Sequence, residues 1–342
     1  MGPNDRATIR LRLEDVVGLT FFLLTMAIRA FVRGLDWALF SPADVLVIIP
    51  AVTVLLAKEF IHYFVIGARA REGDSAAGLR DFIRPYWEIV RDWFPFLIIL
   101  LMYYSLWGDA THLLVTHDMD DVLIAWDQRL FGMQASVALQ SWIIPPLTAW
   151  MEFAYFFHII NIPLVACFVY LRRSRARFRE MMTGVVVVTF FGLIGYLLVP
   201  AIGPLYTLRN QYSVPLTVPL DIVNRQIEFM DFARIRRDVF PSLHVGISFV
   251  VWLYAFRNSR KLFWILSPLI ISLFASTVYL RYHYLVDVVA GLILAPCCFL
   301  LANTMFKHWG ELQLSLPLPE GLASRLGPRQ SAEVSGKGGG EP

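Results

Sequence analysis

The feature that most constrains this chain is a succession of long apolar runs separated by short polar loops. A run of roughly 18 or more apolar residues is typical of a membrane-spanning helix, and a soluble domain could not hide this many in its core. Because lipid offers the backbone no hydrogen-bond partner, we expect each run to form a helix. The predicted fold class is therefore an all-α, polytopic transmembrane helical bundle of about eight spans, at residues 15–32, 43–66, 93–115, 148–171, 181–200, 241–256, 262–281 and 284–306.

Composition supports a membrane protein and argues against other classes. Charged residues make up 17% of the chain, compared with about 25% in a typical soluble domain. The net charge of +3 is too small to indicate a nucleic-acid partner. All three cysteines lie inside apolar runs, so the sequence predicts neither a disulfide framework nor a zinc site.

Lysine and arginine are concentrated in alternate loops, which predicts the orientation. Basic clusters occur at the N-terminus, in the loops after the second, fourth and sixth spans, and after the eighth. By the positive-inside rule, these segments and both termini are expected to be cytoplasmic. The predicted outer segment 201–240 is an exception, because it carries five arginines.

The same pattern divides the chain into four regions. Residues 1–115 are predicted to hold the N-terminal transmembrane helices. Residues 116–147, with four aspartates and a Pro-Pro pair, are predicted to form an outer interfacial or re-entrant element. Residues 148–306 form the predicted catalytic core. Residues 307–342 are rich in Gly, Pro and Ser, and we expect a disordered cytoplasmic tail.

Two short motifs carry the predicted chemistry, and loop charge places both at the outer membrane face. His244 lies at the start of the sixth span, and His283 lies where the seventh span turns into the eighth. Asp287 follows His283 by four residues, a helical spacing that allows a carboxylate to orient an imidazole. One histidine can then attack while the other protonates a leaving oxygen. A helix-pinning pair and an interfacial histidine are the simpler alternatives.

With these motifs, the chain resembles the type 2 phosphatidic acid phosphatase superfamily. Pro241-Ser242-Leu243-His244 is similar to its second motif, and His283 with Asp287 is similar to its third. Leu243 in place of Gly, and Phe240 before the motif, resemble the branch that contains the fungal inositol phosphorylceramide synthases. The surrounding Thr277–Leu280 stretch, which includes Tyr279, also looks like this branch.

The resemblance implies a role for each motif residue. His283 would be the nucleophile, Asp287 would orient it, and His244 would protonate the leaving group. Ser242 would hold a phosphate oxygen. No metal and no cofactor are implied, because arginines can clamp the phosphate.

Two departures from the superfamily pattern leave the phosphate clamp open. The third motif usually has Arg six residues before its His, where this chain has Thr277, and the nearest basic residue is Arg281. The first motif is absent from its usual place, since the Arg84-Pro85 pair lies on the predicted cytoplasmic side.

Further substrate-binding candidates lie upstream of the motifs. Arg209 follows a Pro- and Gly-rich segment that resembles the synthase branch, and Arg237 lies in an arginine cluster before His244. Contact with anionic headgroups is an equally good explanation for these arginines. Glu152 and Tyr155 are placed to contact an acceptor hydroxyl, with helix–helix hydrogen bonding as the alternative, and Asp127 has the same two explanations.

These expectations describe a multi-pass lipid phosphotransferase that moves a phosphoryl headgroup, such as phosphoinositol, onto a lipid or sugar hydroxyl. A lipid phosphate phosphatase acting on phosphatidic acid or a polyprenyl pyrophosphate is the first alternative. A transporter or scramblase is a distant one, because the ionisable groups lie at one face and not at the midplane. In a bacterium, the plasma (inner) membrane would hold the protein with its site facing the periplasm; elsewhere the site would face a lumen.

Overall fold

The computed structural model describes residues 6–9, 12–33, 89–99, 102–103, 111, 114–216, 220–221, 224–225, 228, 237–309 and 314–317. Its helices are α1 (Leu13–Arg33), α2 (Asp120–Phe131), α3 (Ala135–Ala138), α4 (Pro145–Arg172), α5 (Arg175–Leu198), α6 (Pro204–Thr207), α7 (Leu243–Asn258), α8 (Arg260–Tyr279) and α9 (Leu285–Trp309). Residues 89–99 are also helical, and 3-10 turns cover Leu139–Trp142 and Arg209–Gln211. Strands β1 (Arg6–Ile9) and β2 (Leu314–Pro317) pair in antiparallel orientation.

Among the helices that the structure describes, four are long and apolar enough to cross a membrane: α4, α5, α8 and α9. They correspond to the predicted spans at 148–171, 181–200, 262–281 and 284–306. The chain is thus a helical membrane protein, apart from the short β1–β2 ribbon.

The other predicted spans have different outcomes. The span at 241–256 is α7, whose 16 residues give a length of about 24 Å, shorter than a hydrocarbon core of about 30 Å. The span at 15–32 is α1, which is not among the four. The span at 43–66 lies outside the described residues, and 93–115 is described only in part. The total of eight spans and the side of the termini stay predictions.

Serine caps and a proline set where the long helices begin. The Ser174 hydroxyl accepts the backbone N–H of Arg177 at 3.2 Å before α5, and Ser259 caps α8 in the same way. Pro145 opens α4, where its missing N–H removes no helical hydrogen bond. The short breaks at Ser174 and Ser259 each separate two long helices, and the two helices on either side of each break pack against each other.

The centre of the bundle is α5. In its most apolar window 72% of the residues are buried, against 39–44% in the other three candidate spans. It packs against α1, α4, α7 and α9, and α7 packs in turn against α4, α8 and α9. Side chains buried at these contacts include Val188, Val250, Tyr254 and Ala295. The motif-bearing helices α7 and α9 are therefore held by a common core.

The predicted outer segment 116–147 forms short helices and no span. Its main element, the 12-residue α2, packs against α9 and buries Asp120, Leu123 and Asp127. Its position relative to the membrane stays a prediction. The predicted disordered tail, residues 307–342, begins inside α9 and includes β2.

The starts of α7 and α9 approach each other closely because residue 291 is glycine. A methyl group at Gly291 would lie 2.6 Å from the backbone oxygen of Ser242, at the N-cap of α7. A backbone atom cannot move aside unless the helix shifts. At Gly246, on the facing helix, an added methyl group would meet Val188 at 3.5 Å, an ordinary contact distance.

We expect Gly291→Ala to push these helix starts apart and to destabilise the protein by about 1–3 kcal/mol, the usual cost of overpacking. Thermal unfolding in detergent measures the change. Gly246→Ala is the matched control, because it adds the same methyl group to the same interface without a clash. Equal melting temperatures for the two variants would contradict this account of the interface.

Candidate active site

His283 lies in the tight turn between α8 and α9. The turn closes α8 with hydrogen bonds from the N–H groups of Tyr282 and His283 to the Thr277 carbonyl, both 3.0 Å long. Asp287, in the first turn of α9, accepts the Tyr284 N–H through Oδ2 at 2.8 Å. The same oxygen lies 3.5 Å from His283 Nδ1. The sequence-predicted pair is therefore brought together across a helix cap, because α9 begins only after His283.

His244 meets this pair from the start of α7. Its Nδ1 lies 3.1 Å from His283 Nε2, and its Nε2 lies 2.9 Å from the hydroxyl of Tyr155 on α4. The backbone N–H of Ser242 donates to the Asp287 carbonyl at 3.1 Å. Asp287 thus contacts one motif through its side chain and the other through its backbone.

The side chains form a chain whose protons can all point one way. A carboxylate at His283 Nδ1 favours the proton on that nitrogen and leaves a lone pair on Nε2. This lone pair accepts from His244 Nδ1, and His244 Nε2 then accepts the Tyr155 hydroxyl proton. His283 Nε2 then carries a lone pair, and another group can reach this nitrogen only by displacing His244.

These groups line a small pocket of about 20 Å³. A pocket of this size has room for about one water molecule. The Tyr155 and Tyr282 rings stack on one side, with centroids 4.8 Å apart. The full lining consists of Tyr155, Ile202, Leu205, Tyr206, Asp238, Val239, His244, Tyr282 and His283. The pocket therefore offers aromatic faces and aliphatic walls beside the histidine pair.

Burial controls the protonation of this pocket. Desolvation lowers the pKa of His283 to about 4, against the opposing effects of the Asp238 charge and a Val239 backbone hydrogen bond. Burial also raises the pKa of Asp238, an effect partly offset by the Tyr103 hydroxyl, which donates to its carboxylate at 2.5 Å. His283 is consequently neutral at pH 7, the form in which its nitrogen can attack phosphorus.

Three predicted substrate-binding residues are buried in different surroundings. Ser242 is fully buried, and its Oγ has no hydrogen-bond partner among the described residues. Glu152 accepts the backbone N–H of Leu220 at 2.9 Å. The Tyr279 hydroxyl lies 2.9 Å from Thr148 Oγ1, which links α8 to α4. Of these three residues, Ser242 is the one whose side-chain oxygen has no hydrogen-bond partner among the described residues. None of the three lines the pocket.

The predicted arginines lie outside the pocket lining as well. The Arg281 guanidinium lies 3.8 Å from the centroid of the Tyr212 ring. Arg237 donates to Asp118 at 2.7 Å. Arg209 is exposed in the turn after α6. Their part in binding phosphate stays a prediction.

Three polar residues in or beside the pocket, namely His158, Asp238 and Tyr282, were not among the predicted site residues. His158 lies one helical turn after Tyr155, and its ring meets the His244 ring edge-on, with centroids 4.6 Å apart. A histidine inside an apolar run was the available signal. Asp238 is buried two residues before the first motif, and Tyr282 directly precedes His283. No spacing rule in the sequence links these positions to one another.

Asp127, on α2, holds the start of α9. Its carboxylate accepts the N–H groups of Leu285 and Val286 at 3.0 and 2.8 Å. The first N–H groups of a helix have no partner within the helix, so this contact satisfies two of them. The sequence offered two roles for Asp127, contact with the hydroxyl of an acceptor substrate and hydrogen bonding between helices. The structure shows hydrogen bonding between helices.

Asp120, also on α2, accepts hydrogen bonds from the segment before α6 and from Tyr284. It accepts the N–H groups of Ile202 and Gly203 at 2.9 and 2.8 Å and the Tyr284 hydroxyl at 2.8 Å. Gly203 has φ +91°, and a methyl group there would lie 2.7 Å from the Tyr282 carbonyl. Helix α2 therefore holds both the segment before α6 and the turn that carries His283.

The family comparison agrees with this geometry. A family model described as the PAP2 superfamily matches residues 121–301, which is more than half of the chain. Its members are generally phosphatases or phosphotransferases, so the chain is an enzyme of this broad kind. No curated protein and no solved structure gives a significant match.

We expect Asp127→Ala to loosen the start of α9, because two buried N–H groups lose their acceptor, at a cost of about 1–3 kcal/mol. Hydrogen exchange at Leu285 and Val286 should accelerate, and the melting temperature should fall. Asp121→Ala, an exposed neighbour on α2, is the matched control. Unchanged exchange in Asp127→Ala would show that the carboxylate does not hold the turn.

Proposed function

We propose that this chain, which belongs to the PAP2 superfamily, transfers a phosphoryl headgroup between lipids through a phosphohistidine on His283. The single observation that carries the proposal is the contact of His283 with both Asp287 and His244, at 3.5 and 3.1 Å. A carboxylate behind the nucleophile and a second imidazole before it are the parts that a two-step transfer needs.

In the first step, His283 Nε2 attacks the phosphorus of the donor. A phosphorus–nitrogen bond forms, the bond from phosphorus to the leaving oxygen breaks, and that oxygen takes a proton from His244. The negative phosphate favours the protonated form of His244 that this step requires. Asp287 balances the positive charge that develops on the His283 ring.

In the second step, the acceptor hydroxyl gives its proton to His244, and its oxygen attacks phosphorus. The phosphorus–nitrogen bond then breaks and His283 returns to its neutral form. An acceptor that is a lipid or sugar alcohol makes the reaction a transfer, and water makes it a hydrolysis. Restricted water favours transfer, and His283 is only 2% exposed beside apolar walls.

A helix N-terminus can supply positive potential for a phosphate. The start of α7 carries His244, and helix N-termini attract anions. The unpartnered Ser242 hydroxyl is available for one phosphate oxygen. Arg281, Arg209 and Arg237 would need to turn toward the pocket to add a guanidinium clamp.

The donor proposed is a phospholipid with a polyol headgroup, such as phosphoinositol, and the acceptor is a ceramide-like or diacylglycerol-like alcohol. The resemblance of Phe240, Leu243 and Tyr279 to the synthase branch supports this choice. The site is proposed to face the periplasm or a lumen.

The test is a labelled phosphodiester lipid donor with a panel of lipid alcohols and the purified protein. Mass spectrometry should detect a new headgroup-bearing lipid and, after a rapid quench, an acid-labile label on His283. We expect His283→Ala to lower turnover by at least about 1,000-fold and to abolish the label. His117→Ala, an exposed histidine outside the pocket, is the control.

Each other product has a definite meaning. Release of the phosphorylated headgroup to water alone would replace transfer by hydrolysis with the same residues. Activity that survives in a folded His283→Ala variant would contradict the phosphohistidine. Lipid movement across vesicles without any covalent product would favour a transporter or scramblase.

We expect the acidic limb of kcat/KM to lie near pH 4, well below the usual value of about 6.5 for histidine. The pKa of His283 is lowered to about 4, so the neutral nucleophile persists until the pH falls through that value. A phosphodiester donor should be used, since a phosphate monoester ionises near pH 6 and would mask the limb. A limb near pH 6.5 would contradict a desolvated nucleophile.

A further inference from the structure

A basic cleft lies at the end of the bundle opposite to the active site. It has a volume of about 620 Å³ and lies between the start of α5 and the ends of α7 and α9. Its polar lining includes Arg177, Glu180, Arg257, Thr304 and Lys307. Arg257 is 13 residues after His244 on α7, which places it about 20 Å farther along the helix axis. The cleft is therefore separate from the histidine pocket.

The cleft holds an excess of positive charge that its own residues do not neutralise. Glu180 binds Arg257 at 2.9 Å and Arg177 at 3.3 Å, and so positions both guanidinium groups at the cleft. Lys307, on α9, adds a third cation and has no ion-pair partner among the described residues. Three cations against one carboxylate leave room for an anionic ligand.

An exposed apolar stripe leads along α9 into this cleft. Ile293 and Leu300 are 61% and 66% exposed, and Cys297 between them is also exposed. These residues lie on one helix face with Thr304, which lines the cleft. Acyl chains can follow the stripe while a phosphate reaches the cations, whereas a free phosphate would make no use of the stripe.

We propose that this cleft, lined by Arg177, Arg257 and Lys307 at the ends of α5, α7 and α9, binds the headgroup of an anionic phospholipid. Basic pockets between helix ends are suited to phosphate headgroups on the cytoplasmic side. The volume of about 620 Å³ lies within the range of small-ligand pockets and accommodates a glycerophosphate group together with its water. The site is independent of the reaction proposed for His283.

The test uses the full chain, stripped of lipid in a non-ionic detergent and titrated with phosphatidylglycerol or phosphatidylcholine. Native mass spectrometry counts bound lipid and gives its affinity. We expect phosphatidylglycerol to bind at least about 10-fold more tightly than phosphatidylcholine. In Arg177→Gln/Lys307→Gln, phosphatidylglycerol affinity should fall about 30-fold, equal to about 2 kcal/mol for two basic residues. This variant keeps the Arg257–Glu180 ion pair and with it the local fold.

The matched control is Arg172→Gln/Lys261→Gln, which removes the same charge from exposed positions at the same end of the bundle, outside the cleft lining. It should retain the affinity of the wild type, and so should His283→Ala, which tests independence from the active site. Thermal unfolding confirms that each variant is folded.

Three outcomes would overturn the proposal. Equal losses of phosphatidylglycerol affinity in the two double variants would mean that basic residues at this end of the bundle attract the lipid wherever they lie, and that the cleft is not a specific site. Equal affinity for phosphatidylcholine would mean that no anionic headgroup is recognised. Binding of soluble glycerophosphate as tight as that of phosphatidylglycerol would mean that the apolar stripe takes no part and that the ligand is a free phosphate compound.

Discussion

The contact on which the site depends is the backbone hydrogen bond from Ser242 to the Asp287 carbonyl, made possible by the absence of a side chain at Gly291. It joins the start of α7 to the start of α9, and each of these helix starts carries one motif. With the backbones this close, His244 and His283 meet without any further adjustment. Packing between two helices thus sets a distance of chemical importance, and a slight separation would remove the pairing of the imidazoles.

Helix α2 provides a second level of support. Its Asp127 accepts the first N–H groups of α9. Its Asp120 accepts the Gly203 N–H before α6 and the hydroxyl of Tyr284, the residue after His283. Buried carboxylates are costly unless they accept several hydrogen bonds, and here each accepts at least two. Both residues therefore act by holding the backbone around His283 in place, which fits the start of the family match at residue 121, within α2.

Burial gives the pocket its chemical character. A desolvated imidazole is neutral near pH 7, so the lowered pKa of His283 keeps the ring in the form that the proposed attack requires. His244 Nδ1 occupies the contact that phosphorus would take in the proposed reaction. The proposal therefore requires the two rings to part, and Tyr155 contacts the far side of His244.

The apolar runs and the His-Asp spacing by themselves determined a helical membrane protein and two candidate catalytic motifs, because both follow from local periodicity and residue type. The sequence also indicated that residues 116–147 differ from a span. Only the tertiary structure decided that Asp127 holds α9, that Asp238 and Tyr282 join the pocket, and that Arg281 lies against Tyr212. Such partners are far apart in the chain, and their meeting depends on how helices pack and on which polar groups burial forces together, which no local pattern records.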